Sequence, residues 1–375
     1  MIKRMLFIFG TRPEAIKLAP VILELHKFPE LFDVRVCITA QHREMLDQVL
    51  RFFEIKPDKD LNIMKPGQTL FDVTIAGLGG LRNVIQSVKP DWVLVQGDTT
   101  TVFTAALASY YCHIKVAHVE AGLRSFNKFA PFPEEMNRVM TSRIADLHFC
   151  PTENARTNLL KEGVENEDTV VVGNTVIDAL LYAVNKVKNM RSEDFDGAFN
   201  SIDVRDFAKK IILVTGHRRE NFGEPFKNIC TALKKIAARD DIAIIYPVHL
   251  NPNVRKPVFG ILRGIDNVHL IEPLDYAAFV WLMEKSHLIL TDSGGVQEEA
   301  PSLGKPVLVM REVTERAEGV DAGTARLVGT DQARITAELS SLLDDPRHYA
   351  DMTGKKNPYG DGTSAQKIRE VLAKQ

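Results

Sequence analysis

The stretch Leu290-Thr291-Asp292-Ser293-Gly294-Gly295-Val296-Gln297-Glu298-Glu299-Ala300 joins a short apolar run to two adjacent glycines and two glutamates. The order strand, glycine turn, helix leaves unpaired N–H groups at a helix start, where a phosphate can be held. Gly294 and Gly295 let the backbone approach an anion with no Cβ in the way. With the helix opening on the two glutamates, Glu299 is expected one turn in, which suits a carboxylate gripping hydroxyls such as a ribose diol. Ser293, Gly294, Gly295 and Glu299 are therefore candidate ligands of a nucleoside diphosphate. The same turn also serves as a plain strand-to-helix connection.

Other strand ends carry further chemistry. Gly10-Thr11-Arg12-Pro13-Glu14-Ala15-Ile16-Lys17 opens a helix with Pro in its first turn. Arg12 offers a fork and Lys17 a point charge to phosphate oxygens, although Lys17 on a helix is also what a solvated face looks like. Gln96-Gly97-Asp98-Thr99 follows a run of apolar residues, and Asp98 fits either a helix N-cap or an acid/base role. Glu120 stands directly at the end of another apolar run, where an unpaired carboxylate is costly. Glu134 starts a helix, a position that the helix dipole alone favours. Three carboxylates on one side of a site suit proton transfer, because like charges raise each other's pKa. His217, flanked by Arg218 and Arg219 after the run at 211–215, can stabilise a departing phosphate or give it a proton. His249 ends a second run, either as ligand or as loop shaper, and Arg316 is within reach of a phosphate. His118 and Glu120 are expected on one strand face near His113, but the set does not close a tetrahedron and there is no H-E-x-x-H, so no metal is read. G-x-G-x-x-G and Walker patterns are also missing from the sequence, so no cofactor is expected.

These residues need a scaffold. Apolar runs at 5–9, 34–39, 91–95, 115–119, 147–150 and 170–172 alternate with helical patterns at 13–28, 43–53, 69–88, 100–111 and 133–145. Runs at 211–215, 243–248, 268–271, 288–291 and 306–310 repeat that logic, and a last helix is expected at 365–372. Continuous apolar strands alternating with helices imply parallel sheets covered on both faces. The fold class is thus α/β, with two Rossmann-like doubly wound domains facing a cleft. Such domains bind ligands at the carboxyl ends of their strands. The boundary is placed near 175–179, giving domains at 1–177 and 178–362, ahead of a polar stretch at 185–209 without strand signal. With 375 residues, 45% hydrophobic and 26% charged, the chain is long enough for two cores. A net charge of −2 provides no basic field for nucleic acid or a membrane. The four cysteines lack paired spacing, three sit in or beside apolar runs, and no 18-residue apolar run exists, so a reducing, cytoplasmic location is expected.

Eight ordered motifs share one pattern. They are Gly10 to Lys17, Thr39-Ala-Gln41-His42-Arg43, Gly97-Asp98-Thr-Thr-Thr101 and His118-Val-Glu120-Ala-Gly-Leu-Arg124. The others are Thr215-Gly-His217-Arg218-Arg-Glu220, Pro247-Val-His249-Leu-Asn-Pro252, the run from Thr291 to Pro306, and Asn357-Pro-Tyr-Gly-Asp-Gly362. Nearly end to end, the chain closely resembles the non-hydrolysing bacterial UDP-N-acetylglucosamine 2-epimerases. The resemblance implies a GT-B-type fold whose last helix, 363–375, rejoins the first domain. It implies conversion of UDP-N-acetylglucosamine to UDP-N-acetylmannosamine by anti elimination of UDP, a 2-acetamidoglucal intermediate, and re-addition. It also implies a homodimer and a supply of N-acetylmannosamine-type sugars for surface polysaccharide. By motif position, Asp98, Glu120 and Glu134 are the acid/base carboxylates, and His217 assists diphosphate departure. Arg12, Lys17, Ser293, Gly294, Gly295, Glu299 and Arg316 hold UDP, with Phe279 against uracil.

Some members bind a second UDP-N-acetylglucosamine as activator, and Gln41, His42, Arg218 and His249 match that site. This chain departs from the pattern with Glu44 in place of glutamine and Gly67 in place of arginine. The lost arginine implies a weakened dependence on the activator. Ser125-Phe126 and Phe129-Ala130 also depart from the commoner loop. The competing readings are a GT-B glycosyltransferase, which needs an acceptor, a hydrolysing 2-epimerase, which loses the glycal to water, and a UDP-sugar sensor, which would tolerate loss of Asp98 or Glu120.

Overall fold

A computed structural model describes residues 2–40, 43–65, 67–195, 197–202 and 204–375, with only the backbone of Glu44 and Val204. The chain forms two compact units, one of Met1–Leu181 with Tyr359–Gln375, the other of Tyr182–Pro358.

The first unit contains β1 (Lys3–Phe9), β2 (Phe32–Ile38), β3 (Lys59–Asp60), β4 (Trp92–Gln96), β5 (Lys115–Val119), β6 (Leu147–Cys150) and β7 (Thr169–Val171). The strands are all parallel and lie in the order β3-β2-β1-β4-β5-β6-β7. Met5–Phe9 and Val93–Val95 are fully buried because helices cover both faces, which is why these strands lack apolar/polar alternation. Leu6, Ile8, Val93 and Val95 share a core with Leu81, Val84 and Ile85 of the helix Leu70–Val88 and with Val102, Ala105 and Ala106 of Thr100–Tyr111. Each fully buried Leu, Ile or Val contributes roughly 1.5–3 kcal/mol. The final helix, Ser364–Lys374, packs on Arg12–His26 in this unit. Arg369 Nε pairs with Glu24 Oε1 at 2.9 Å, and Ala365 N–H donates to Asp178 Oδ1 at 2.8 Å.

The second unit contains β8 (Lys210–Thr215), β9 (Ile242–Pro247), β10 (Val268–Ile271), β11 (Leu288–Thr291), β12 (Val307–Val309) and β13 (Ala325–Leu327). They are parallel, in the order β10-β9-β8-β11-β12-β13. Its polar-looking opening segment is pinned by aromatic residues. Phe195, Phe199 and Phe207 ring Trp281 at centroid distances of 5.3, 5.1 and 5.3 Å, and Trp281 Nε1–H donates to Met190 O at 3.0 Å.

Each sheet runs outward in opposite directions from a central strand pair, β1/β4 in the first and β8/β11 in the second. The order reverses there, so the chain diverges on either side and leaves a crevice at the strands' carboxyl ends. The turns at these two points carry most of the residues singled out above. Among the described residues no helix is long and apolar enough to cross a membrane.

Candidate active site

In the first unit, the turn after β1 is closed from within. Thr11 and Glu14 form a capping box at the start of Arg12–His26, and Glu14 Oε2 accepts from the N–H groups of Gly10 (2.8 Å) and Thr11 (2.7 Å). Gly10 has no substitute here, since a Cβ would lie 2.1 Å from Thr39 Oγ1. After β4, Asp98 is not the N-cap that its position allowed. Thr99 fills that place, accepting from Val102 N–H at 3.3 Å, and Asp98 is left to face Arg138, whose Nη2 donates to Oδ2 at 2.6 Å. Burial pushes the Asp98 carboxyl up, Glu120 and Glu134 add to that, and the charges of Arg138 and Lys17 oppose it.

After β5, Glu120 lies at φ 62°, so the strand alternation stops at Val119 and the expectation that His118 and Glu120 share a strand face fails. That backbone region costs roughly 1–2 kcal/mol for a residue with a Cβ. The turn aims the carboxylate at Lys17, whose Nζ donates to both oxygens at 2.6 Å; Gln96 Nε2 and Asn174 Nδ2 also donate to Glu120. His118 is instead buried, bonded through Nε2 to Gly97 O at 2.7 Å, and burial holds its pKa down at about 3.

The helix Glu134–Ile144 supplies two different carboxylates. Glu135 is buried and accepts from the N–H groups of Ser125 (3.0 Å) and Phe126 (2.9 Å), so it anchors the preceding loop. Glu134 is half-buried and contributes to the field at Asp98. The anchored loop carries Phe126, Phe129 and Phe132, all exposed.

In the second unit, Asp292 follows β11 and is wholly buried. It accepts from the N–H groups of His217 (2.9 Å) and Arg218 (2.9 Å) and from Asn221 Nδ2 (3.2 Å), while His217 Nδ1 lies 3.4 Å from its Oδ1. This arrangement orients the imidazole and leaves Nε2 for a ligand. Burial holds the His217 pKa down against the opposing pull of Asp292, and neighbouring His249 and Arg218 lower it further, so the ring is neutral at pH 7. The His249 ring stacks on His217 at 5.5 Å, with 19° between the planes.

The glycine-rich helix begins at Gly294, not at the glutamates. It spans Gly294–Glu299 with Ser293 as N-cap, so the glutamates close it and Gly294 and Gly295 supply its first N–H groups. Arg316 packs its guanidinium 3.4 Å from where a Gly294 Cβ would be, and its Nε donates to Glu298 Oε1 at 2.8 Å. Glu299 is buried, whereas Phe279 is half-buried on the helix Tyr276–Lys285.

Within the first unit the turns therefore assemble Lys17, Asp98 and Glu120, with Glu134 near Asp98, while Arg12 is half-buried in the turn after β1. Within the second they assemble His217, His249 and Arg218, and separately Gly294 with Arg316. Gln41 and His42 lie outside the described residues. Arg218 Nη2 meets Glu315 at 3.4 Å. Gly67 is exposed at φ 71°, a backbone region that an arginine adopts only under strain. Sequence reasoning missed Arg138, Asp292 and Gln96 as partners of site residues. Arg138 had one available signal: it lies four residues after Glu134, on the same helix face.

A sequence model of the family described as UDP-N-acetylglucosamine 2-epimerase matches residues 24–373. The UDP-N-acetylglucosamine 2-epimerase of Salmonella typhimurium is 55% identical over 370 residues, 98% of each chain. The crystal structure of UDP-GlcNAc 2-epimerase from Neisseria meningitidis bound to UDP-GlcNAc has 51% identity and a TM-score of 0.88, over 99% of this chain and 100% of that one. The Methanocaldococcus jannaschii UDP-GlcNAc 2-epimerase in complex with UDP-GlcNAc and UDP has 37% identity and a TM-score of 0.80, over 99% and 100% of the two chains. Two parallel-sheet units with central switch points make this an α/β enzyme of GT-B type. The chain belongs to the UDP-N-acetylglucosamine 2-epimerase family.

Proposed function

We propose that the protein interconverts UDP-N-acetylglucosamine and UDP-N-acetylmannosamine. A base takes the proton from C2, the C2–H electron pair becomes a C1=C2 bond, and the C1–O bond breaks with its pair passing to the β-phosphate oxygen of UDP. In the return step that oxygen attacks C1 of the 2-acetamidoglucal while C2 takes a proton on its opposite face, which inverts the centre. Two faces require two differently placed acid/base groups, drawn from Asp98, Glu120 and Glu134. His217 stabilises UDP as it leaves: a bound diphosphate raises the imidazole's proton affinity, turning a neutral ring into a cationic partner. Arg12, Ser293, Gly294, Gly295, Glu299 and Arg316 hold UDP, and Phe279 lies against uracil. Lys17, with three donors, serves Glu120 and the diphosphate together.

One observation carries this reading. Asp98 and Glu120, at the ends of adjacent strands β4 and β5, each have a cation at 2.6 Å, and Asp98 is pushed up towards the range where a carboxyl can exchange a proton at working pH. The bound UDP-GlcNAc of the Neisseria relative and the bound UDP-GlcNAc and UDP of the Methanocaldococcus relative support the substrate class. The homodimer, the second-site activator and the supply of sugars to surface polysaccharide rest on the resemblance.

Proton NMR of UDP-N-acetylglucosamine with the protein in deuterated water tests the reading. UDP-N-acetylmannosamine with deuterium at C2 is the expected product. Free UDP with free N-acetylmannosamine would reassign the protein as a hydrolysing enzyme, and no exchange would remove the epimerase assignment. Asp98→Asn and Glu120→Gln are expected to lose roughly 10²–10⁴-fold in kcat while calorimetry still records UDP binding.

A further inference from the structure

Glu14 does more than cap its helix. A capping-box glutamate serves the N-terminal N–H groups, and a glutamate is almost never fully buried unless it is paired. Here the side chain is 2% exposed, and its second oxygen, Oε1, accepts from Thr99 Oγ1 at 2.5 Å, across 85 residues of chain. Thr99 adjoins Asp98 in the turn after β4, while Gly10 and Thr11 form the turn after β1 that carries Arg12. One buried carboxylate thus ties together the two turns at the point where the strand order reverses. A second tie runs beside it, Thr39 Oγ1 to Thr101 Oγ1 at 3.0 Å, and Gly10 allows the close approach between them. On its other side Asp98 is held through its own carbonyl, which accepts from Asn137 Nδ2 at 2.9 Å.

We infer that Glu14 is a positioning residue for the reaction: through Thr99 it fixes Asp98 against Arg138 and the substrate. This rests on the reading of Asp98 as an acid/base group. Without the bridge the Asp98 turn loses its direct hydrogen-bonded tie to the turn after β1 and can shift relative to it. A displacement on the order of 1 Å lowers turnover by roughly 100-fold when the reacting groups must align.

The geometry also defines the control. In Glu14→Gln the amide oxygen can accept from Gly10 and Thr11 N–H while the NH2 donates to Thr99 Oγ1. This keeps the links to Gly10 N–H, Thr11 N–H and Thr99 and reverses the polarity of the bridge.

The test compares Thr99→Val, Glu14→Ala and Glu14→Gln in the full chain, recording kcat, KM and the pH dependence of kcat/KM. Thr99→Val cuts the bridge together with the N-cap bond from Val102 N–H and leaves the Gly10 and Thr11 links intact, whereas Glu14→Ala keeps the N-cap, so a loss common to both belongs to the bridge. Thr99→Val is expected to lose about 10- to 100-fold in kcat with KM within about threefold of wild type. Its acidic limb should move to higher pH, because an Asp98 drawn away from Arg138 loses the charge that opposes its upward shift. Glu14→Gln should recover most of kcat. Wild-type kcat and an unmoved acidic limb in Thr99→Val would overturn the positioning role. If Asp98→Asn is itself fully active, the acid/base reading fails instead, so the two failures are separable.

Discussion

Arg138 Nη2 donates to Asp98 Oδ2 at 2.6 Å, while the Nη1 of the same guanidinium lies 3.4 Å from Glu135 Oε2. The pair is internal to the first unit and largely shielded from water, with side-chain exposures of 13% for Arg138 and 30% for Asp98, so screening is modest. Its consequence is electrostatic. Burial raises the Asp98 carboxyl, and Arg138 is the largest opposing influence. Arg138→Met removes that opposition, so Asp98 rises further and less of it is ionised at neutral pH. If Asp98 is the base, turnover at pH 7 should fall, by up to about tenfold for each unit that its pKa rises beyond pH 7, the acidic limb of kcat/KM should move to higher pH, and raising the pH should restore part of the rate. Arg138→Lys, which keeps the charge without the fork, should lie between the two. An acidic limb that stays put in Arg138→Met would show that the guanidinium does not set this proton.

Asp292→Asn tests the second unit in the same way. Among the described residues the buried carboxylate meets donors: the main chain of His217 and Arg218, Asn221 Nδ2 and the His217 ring. An amide turns at least one NH2 hydrogen towards them, which costs about 1–3 kcal/mol of stability. It also removes the negative charge that pulls the His217 pKa upward, so His217 should titrate lower than in wild type. Ring 15N shifts followed through a pH titration give the midpoint directly. A midpoint that is unchanged or raised would mean that Asp292 acts on the loop alone.

The buried His118 sets a pH dependence of stability whose sign is fixed. Its folded pKa is about 3, below the value of about 6.5 for a free imidazole. Between those values the unfolded chain carries a proton that the folded chain does not, so stability present above about pH 6.5 is lost as pH falls towards 3. One such group contributes a slope of up to about 1.4 kcal/mol per pH unit. His118→Gln keeps a donor for Gly97 O and removes the titration. In urea denaturation between pH 6.5 and 4.5, the variant's stability should fall less steeply than wild type by up to that slope. Parallel slopes would show that His118 already takes a proton in the folded state.

Most of the scaffold was legible because buried parallel strands leave unbroken apolar runs. The expected 100–111 helix and the 115–119, 147–150, 268–271 and 288–291 strands coincide with the observed elements. What escaped is what lacks that signature. β3 is two residues long, its burial pattern fully exposed, and β13 is three residues on a sheet edge. The helices Gln332–Asp344 and Pro346–Thr353 were also unread, as was the aromatic clamp on Trp281, because Phe195, Phe199 and Phe207 are dispersed among charged residues. The same limit applies to the site. Single residues at strand ends could be picked out by position, but the pairing of Arg138 with Asp98, Lys17 with Glu120 and Asp292 with His217 bridges 40, 103 and 75 residues. Only the folded sheet order brings such partners together.

Gly10→Ala examines how tightly that order is drawn at the first switch point. The new methyl group would lie 2.1 Å from Thr39 Oγ1 and 2.7 Å from Thr101 Oγ1, two hydroxyls already bonded to each other at 3.0 Å. Neither is the end of a long side chain that can swing away, and both are buried. The turn must therefore shift, or the Thr39–Thr101 bond must break inside the core. Overpacking of this kind costs about 1–3 kcal/mol, measurable as a lowered urea midpoint with unchanged m-value. Because the same turn donates Gly10 N–H to Glu14, the shift should reach Asp98 and depress kcat as well. Thr39→Ser/Gly10→Ala gives no relief, since the serine retains the obstructing hydroxyl, whereas Thr39→Ala/Gly10→Ala removes the closer of the two obstructions, leaves Thr101 Oγ1 room to turn away, and should regain part of the lost stability. Equal midpoints for the two double variants would place the strain elsewhere in the turn.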